Sequence, residues 1–172
     1  AEYYLPYYII KRSFTMNIRL IVVGKLKEQY LRDGCNEYIK RLSKYCNLKI
    51  VELDEAKLPE KASAKEISLA LSNEAKNILK HCEGYVYSMC IEGRQISSQE
   101  LATQIETITT NGTGTITFII GSSYGLDSLV KERSNYRLSM SKMTFTHQIA
   151  RMLLLEQIYR AFQINTNGKY HK

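Results

Sequence analysis

From Met16 onward the chain alternates short β-branched runs with longer stretches whose apolar residues recur every three or four positions. Residues 18–23 form the first run and end at Gly24. Leu31, Cys35, Tyr38, Leu42 and Tyr45 then mark one face of a helix. Residues 47–53 read as a second strand, and a charged loop with Pro59 leads to Ser63-Ala64-Lys65-Glu66. That Ser-x-x-Glu spacing predicts a capping box, in which the serine accepts from a free helix N–H while the glutamate reaches back to the cap amide. The helix it opens carries Ile67, Leu71, Ala75, Ile78 and Cys82 on one face.

The pattern then repeats. Residues 85–91 predict a third strand, and Ser97-Ser98-Gln99-Glu100 predicts a second capping box ahead of Leu101, Ile105 and Ile108. Asn111-Gly112 ends that helix. Residues 115–120 are the fourth and most apolar strand, followed by Gly121-Ser122-Ser123-Tyr124-Gly125. A short helix over 126–133 and a fifth strand over 136–140 complete the series. Strands separated by helices of this length imply an α/β class, with a mostly parallel sheet and helices on both faces.

The last predicted helix, about residues 145–163, has two apolar stripes. Ile149, Met152, Leu155, Tyr159 and Phe162 form one, and Leu154, Ile158 and Ala161 form the other. Such a helix must bury more than one face. One face covering the sheet and the other meeting its twin in a second subunit predicts a homodimer.

Length and composition narrow the class further. A chain of 172 residues suits one compact domain, expected at 16–172. Residues 1–15 contain four tyrosines and lack the basic-then-apolar order of a signal peptide. They read as a leader that is vector-derived or otherwise outside the fold. The chain is 44% hydrophobic and 24% charged, and no run approaches the ~18 apolar residues of a membrane span. Disordered and membrane-spanning classes are excluded.

Of the net charge of +7, residues 131–172 contribute +6, whereas residues 16–130 are balanced. A basic C-terminal quarter suits a polyanion such as RNA, because cationic contacts to phosphate release counterions. Cys35, Cys46, Cys82 and Cys90 form no C-x-x-C pair. They read as small apolar side chains in a reducing cytoplasm, which places the protein there. His81, His147 and His171 are scattered, so no metal is expected.

Three segments carry candidate chemistry. The glycine loop 121–125 follows a central strand, where ligands of open α/β sheets bind. Gly121 and Gly125 allow close backbone approach to a nucleoside or an anion. The same five residues match G-x-S-x-G, so a small serine hydrolase is a rival. In that reading Ser123 is the nucleophile, Glu132 or Glu156 the acid, and His147 or His171 the base. Against it stand the 157 residues from Met16, short for that fold, and acid candidates inside predicted helices. Gly24-Lys25 lacks the rest of a P-loop, and no G-x-G-x-x-G follows the first strand.

The second segment, Leu138, Ser139, Met140, Ser141, Lys142, Met143, Thr144 and Phe145, mixes hydroxyls with apolar groups. It can line a pocket for a flat, partly apolar ligand, or serve as a helix entry with Thr144 as N-cap. The third, Gly168-Lys169-Tyr170-His171-Lys172, places an aromatic ring, an imidazole and two cations on a short tail. Tyr170 can stack on a base, His171 can exchange a proton near neutral pH, and Lys172 can meet phosphate.

These segments, together with Val23-Gly24-Lys25-Leu26-Lys27, residues 120–126 and Glu156-Gln157-Ile158-Tyr159-Arg160-Ala161, resemble a family. It is that of the ribosomal RNA large subunit methyltransferases H, of the SPOUT class. The resemblance spans essentially all of 16–172. It implies an α/β fold with a C-terminal trefoil knot, S-adenosylmethionine as cofactor, and N3-methylation of a pseudouridine in 23S rRNA on assembled ribosomes. It also implies a homodimer. Carried over by motif, the cofactor pocket takes Met89, Gly121, Gly125 and residues 138–145. Tyr170, His171, Lys172 and Arg151 become the candidate catalytic groups.

Departures from the family pattern are Met89 for leucine, Ser122 for a second glycine, Tyr124 for asparagine or glutamate, Thr146 for proline and Lys172 for arginine. The last keeps the charge and loses the bidentate fork. A third reading is a non-catalytic ribosome-binding module that uses only the basic C-terminal quarter.

Overall fold

The computed structural model describes residues 16–172, so the expected leader at 1–15 lies outside the described residues. Five strands form one sheet: β1 (Asn17–Val23), β2 (Asn47–Leu53), β3 (Tyr85–Arg94), β4 (Thr115–Ile120) and β5 (Tyr136–Leu138). Their order is β2-β1-β4-β3-β5, and every neighbouring pair is parallel. β4 is buried at all six positions, in keeping with its unbroken apolar run in the middle of the sheet.

Strand alternation divides the core in two. On one face Leu20, Val22, Tyr87, Ile116 and Phe118 pack beneath α1 (Gln29–Leu42), α3 (Ser98–Thr110) and α5 (His147–Asn165). On the other, Ile21, Val23, Val86 and Ile119 pack beneath α2 (Ala64–His81) and α4 (Ser128–Arg133). The result is three layers, helix over sheet over helix. Tyr87 stacks on Phe118 with ring centres 4.8 Å apart, and its hydroxyl donates to Gln104 Oε1 at 2.8 Å.

Both expected capping boxes form, with Ser63 and Glu66 opening α2 and Ser97 and Glu100 opening α3. Boundaries differ in three places. β3 runs on to Arg94, with a register shift between Met89 and Arg94 against β5. β5 stops at Leu138, two residues early. α5 begins at His147 with Thr146, not Thr144, as its N-cap; Thr146 Oγ1 accepts from Ile149 N at 3.3 Å.

The apolar circumference of α5 is met within one chain. Leu154, Leu155, Ile158 and Ala161 are fully buried, while α1 and α3 flank the helix on either side. Tyr159 and Phe162, in the other stripe, pack on Tyr38 and Tyr45. Two apolar stripes therefore reflect a helix between two neighbours, and do not of themselves require a second subunit. No described helix is long and apolar enough to cross a membrane.

Candidate cofactor cavity

The carboxyl ends of β3, β4 and β5 open onto a cavity of about 720 Å³, large enough for a nucleoside-sized cofactor. Three stretches of chain build it. Met89 to Glu92 form one wall, the glycine loop 121–125 the floor, and residues 138–147 the wall opposite, Lys142 excepted.

Each stretch is held by local bonds. Gly93 lies so close to the backbone of Arg137 and Leu138 that a Cβ there would come within 2.8 Å. Ser139 N donates to Arg94 O at 2.9 Å, which laces the ends of β3 and β5 together around the cavity. In the glycine loop Gly125 N donates to Ser122 O at 2.9 Å, and Gly125 has φ +88°. A Cβ at Gly121 would stand 2.4 Å from Gly125 O, so the loop closes only around a residue without a side chain. Beyond β5, Ser139 Oγ donates to Ser141 O at 3.0 Å and Met143 N to Ser141 Oγ at 3.0 Å. The serines of this segment thus shape its turn and line the cavity together with Met140, Met143 and Phe145.

Every expected cofactor residue lines this cavity except Lys142, which is exposed and stands outside the wall. Periodicity overlooked several others. Cys90 and Ile91 join from within the expected strand, and Glu92 joins because β3 runs on past it; Glu92 pairs there with Lys131 of α4. That ion pair holds the Glu92 carboxyl below its usual range, chiefly through the bond from Lys131. His147 lines the cavity at the start of α5, and its Nε2 would lie 3.4 Å from a Cβ at Gly24.

The expected catalytic groups lie elsewhere. Tyr170 and His171 dock on the helical face formed by α1, α3 and α5, and neither lines the cavity. Tyr170 O–H donates to Glu156 Oε1 at 3.0 Å, and its hydroxyl lies 3.3 Å from that of Tyr38. Burial, followed by these two contacts, pushes its phenol far up. Arg160 lies over the Tyr170 ring at 4.7 Å and donates to Glu156 Oε1 at 3.0 Å. His171 Nδ1 is 3.2 Å from Arg160 Nη1, and Nε2 is 2.8 Å from Gln99 Nε2. Lys172 is exposed at the chain end.

Arg151 needs correction. Holding phosphate requires an accessible guanidinium, yet Arg151 is 4% exposed. Nη1 donates to Glu52 Oε2 at 2.8 Å and Nη2 to Gly24 O at 3.0 Å. The residue clamps the carboxyl ends of β1 and β2 to α5.

A smaller hollow of about 400 Å³ shares Met89, Leu138 and Phe145 with the cavity and reaches Ser98 and Gln157. Gln157 Nε2 donates to Glu156 Oε2 at 2.7 Å, so this hollow ends one residue from the carboxylate that holds Tyr170.

A hydrolase triad is not assembled among the described residues. Glu156 is bound by Arg160 and Tyr170, and His171 by Arg160 and Gln99, while Ser123 and His147 both line the cavity without a hydrogen bond joining them to each other or to Glu132. Ser123 is not on strained backbone either, since Asn167 is the sole described non-glycine residue with positive φ. Also among the described residues, no three histidine, cysteine or acidic side chains converge as a metal site.

Residues 16–171 match the family described as "Predicted SPOUT methyltransferase". This chain belongs to the SPOUT methyltransferases. Similar proteins of this family include the ribosomal RNA large subunit methyltransferase H of Clostridium acetobutylicum, 51% identical over 159 residues. That of Clostridioides difficile is 50% identical over 160 residues. Each alignment spans 91% of this chain and 100% of its relative. Among solved structures, a probable methyltransferase of Bordetella pertussis superposes with a TM-score of 0.54 at 13% identity, covering 90% of this chain and 99% of that one. At that identity the likeness speaks for the fold.

The cofactor of a SPOUT methyltransferase is S-adenosylmethionine, and the cavity fits it. Met89, Leu138 and Met140 offer apolar surface for a flat base, and the closely approached backbone of the glycine loop offers peptide groups to its polar edge.

Proposed function

We propose that this SPOUT methyltransferase methylates N3 of a pseudouridine in 23S rRNA, acting as a homodimer on assembled ribosomes in the cytoplasm. The observation that carries the reading is the cavity itself. Three separate stretches of chain converge on one site at the strand ends, and relatives matched over their whole length are named for ribosomal RNA large-subunit methylation. The trefoil knot that the family implies at the C-terminus is part of the same proposal.

Bound in the cavity, S-adenosylmethionine supplies an electrophilic methyl group on its sulfonium. The protein has two tasks: to align the acceptor nitrogen and to remove its weakly acidic proton. Met89, Gly121, Gly125, Leu138 to Ser141 and Met143 to Phe145 form the cofactor bed, with Lys142 at its outer margin. His171 is the proton acceptor or relay, Tyr170 orients the nucleobase and Lys172 meets phosphate. These groups dock outside their own chain's cavity, which supports delivery of the tail to the cavity of a second subunit. The +6 charge of residues 131–172 suits an RNA partner.

The test is transfer of labelled methyl from S-adenosylmethionine to intact ribosomes lacking the modification, with naked 23S rRNA alongside. Label on ribosomes alone, mapped to one pseudouridine, is the expected result. Cofactor-independent ribosome binding without transfer would favour the non-catalytic module.

A further inference from the structure

Among the described residues seven large apolar side chains are exposed, and four of them, Ile91, Tyr124, Met143 and Phe145, line the cavity at the strand ends. Scattered singly such residues are ordinary, whereas a cluster around an opening marks a surface that something covers. Met89, Leu138 and Met140, the apolar groups given to the cofactor's base, are buried or half-buried, so the exposed four make a rim outside that bed. Tyr124 stands on a tight turn within it. Gly125 N donates to Ser122 O and the same two residues form an isolated bridge, which makes Ser123 and Tyr124 the corner residues, both exposed. Gly121, at the foot of the turn, is buried against Gly125 O and Leu126, and this close approach fixes the turn to the end of β4. The Tyr124 side chain is 47% exposed. Unlike Tyr87 or Tyr159, it pairs with no aromatic ring or cation among the described residues.

We propose that the Tyr124 ring is a stacking platform for an unstacked nucleobase of the RNA substrate, one that flanks the acceptor nucleotide. The proposal rests on the reading of the protein as an rRNA methyltransferase and adds to it where the RNA is gripped. The acceptor atom has to pass inside the rim, to about 3–3.5 Å from the methyl group, so the base left at the rim is its neighbour. Drawing the acceptor out of a stacked strand bares the face of that neighbour, and an aromatic side chain replaces the lost stacking whatever the base. Charge at the rim suits the same occupant. Lys142, exposed between Ser141 and Met143, takes part in no ion pair among the described residues and is available to phosphate. Glu92, the one carboxylate that lines the cavity, is already paired with Lys131. Tyr124 binds substrate in this scheme and takes no part in the transfer. Its grip is equal before and during the reaction, so it is felt in KM and not in kcat.

Titration of intact ribosomes lacking the modification, at saturating S-adenosylmethionine, reads the platform. Tyr124→Ala should raise the KM for ribosomes about tenfold and leave kcat near the parent value. Tyr124→Phe, which keeps the ring, should hold the parent KM. Calorimetry with S-adenosylmethionine and sedimentation of the free protein accompany each variant, and both should match the parent. An unchanged KM in Tyr124→Ala, or Tyr124→Phe as impaired as Tyr124→Ala, overturns the proposal. So does a markedly weaker cofactor affinity, which makes the ring a cover for the bound cofactor, or an altered subunit number, which makes the rim a contact with a second copy. If the parent protein transfers no methyl group, co-sedimentation with ribosomes in the presence of S-adenosylhomocysteine takes the place of KM. Weaker binding by Tyr124→Ala then leaves the platform standing while the reading of the activity falls, and equal binding or none overturns the platform as well.

Discussion

Arg151 shows how much a single side chain's meaning depends on what surrounds it. In the sequence it is one of eight cations after residue 130, and an RNA contact is the natural expectation. In the structure its guanidinium is spent on Glu52 and Gly24 O, and Glu52 is itself partly open to solvent. Arg151→Ala should destabilise the protein by about 2 kcal/mol, as for loss of hydrogen bonds to a charged group. Urea unfolding would show it as a lower midpoint. Arg151→Lys should recover only part, since a lysine cannot span both acceptors with a planar fork. The cysteines follow the same logic of surroundings. Burial pushes the Cys46 thiol up to about 12, which leaves it protonated and unreactive in the folded protein. The expectation of small apolar cysteines suits Cys35 and Cys46, both buried, better than the half-buried Cys82 and Cys90.

At the scale of elements, local sequence signals held where the interaction itself is local. A capping box needs only a serine and a glutamate three residues apart, and both boxes form as their spacing predicts. Ser63→Ala should cost about 1 kcal/mol of global stability through the start of α2, measured by thermal or urea unfolding. Its cofactor affinity should stay near that of the parent, since Ser63 is exposed and does not line the cavity. Boundaries failed where a non-local partner takes over. β3 continues past its expected end because Arg94 pairs with Leu138 of β5, and Arg94 O accepts from Ser139 N. α5 starts two residues late because residues 139–145 are engaged in serine-mediated turns along the cavity wall.

Within one chain the cavity and the C-terminal tail are apart. The cavity sits at the ends of β3, β4 and β5, while Tyr170 and His171 rest on the helical face of α1, α3 and α5. Deleting residues 170–172 should abolish methyl transfer to ribosomes while leaving S-adenosylmethionine binding intact by calorimetry. A tail-deleted subunit mixed with a subunit carrying Gly121→Ala, whose new methyl would meet Gly125 O, should regain activity in the hybrid dimer. No recovery, with hybrids shown to form, would mean that tail and cofactor act within one subunit.

Hydrophobic periodicity and capping signals sufficed to establish the α/β class and all five strands and five helices. Each depends on residues a few positions apart, whose preferences survive in any context. The order β2-β1-β4-β3-β5 was beyond it, since an apolar strand states that both its faces are covered and not by which neighbours. So were the burial of Arg151, the sharing of α5 between α1 and α3, and the docking of Tyr170 on Glu156. All of these join residues distant in sequence. Which buried polar group meets which is decided when the helices close over the sheet and water is excluded, and that event belongs to the tertiary structure alone.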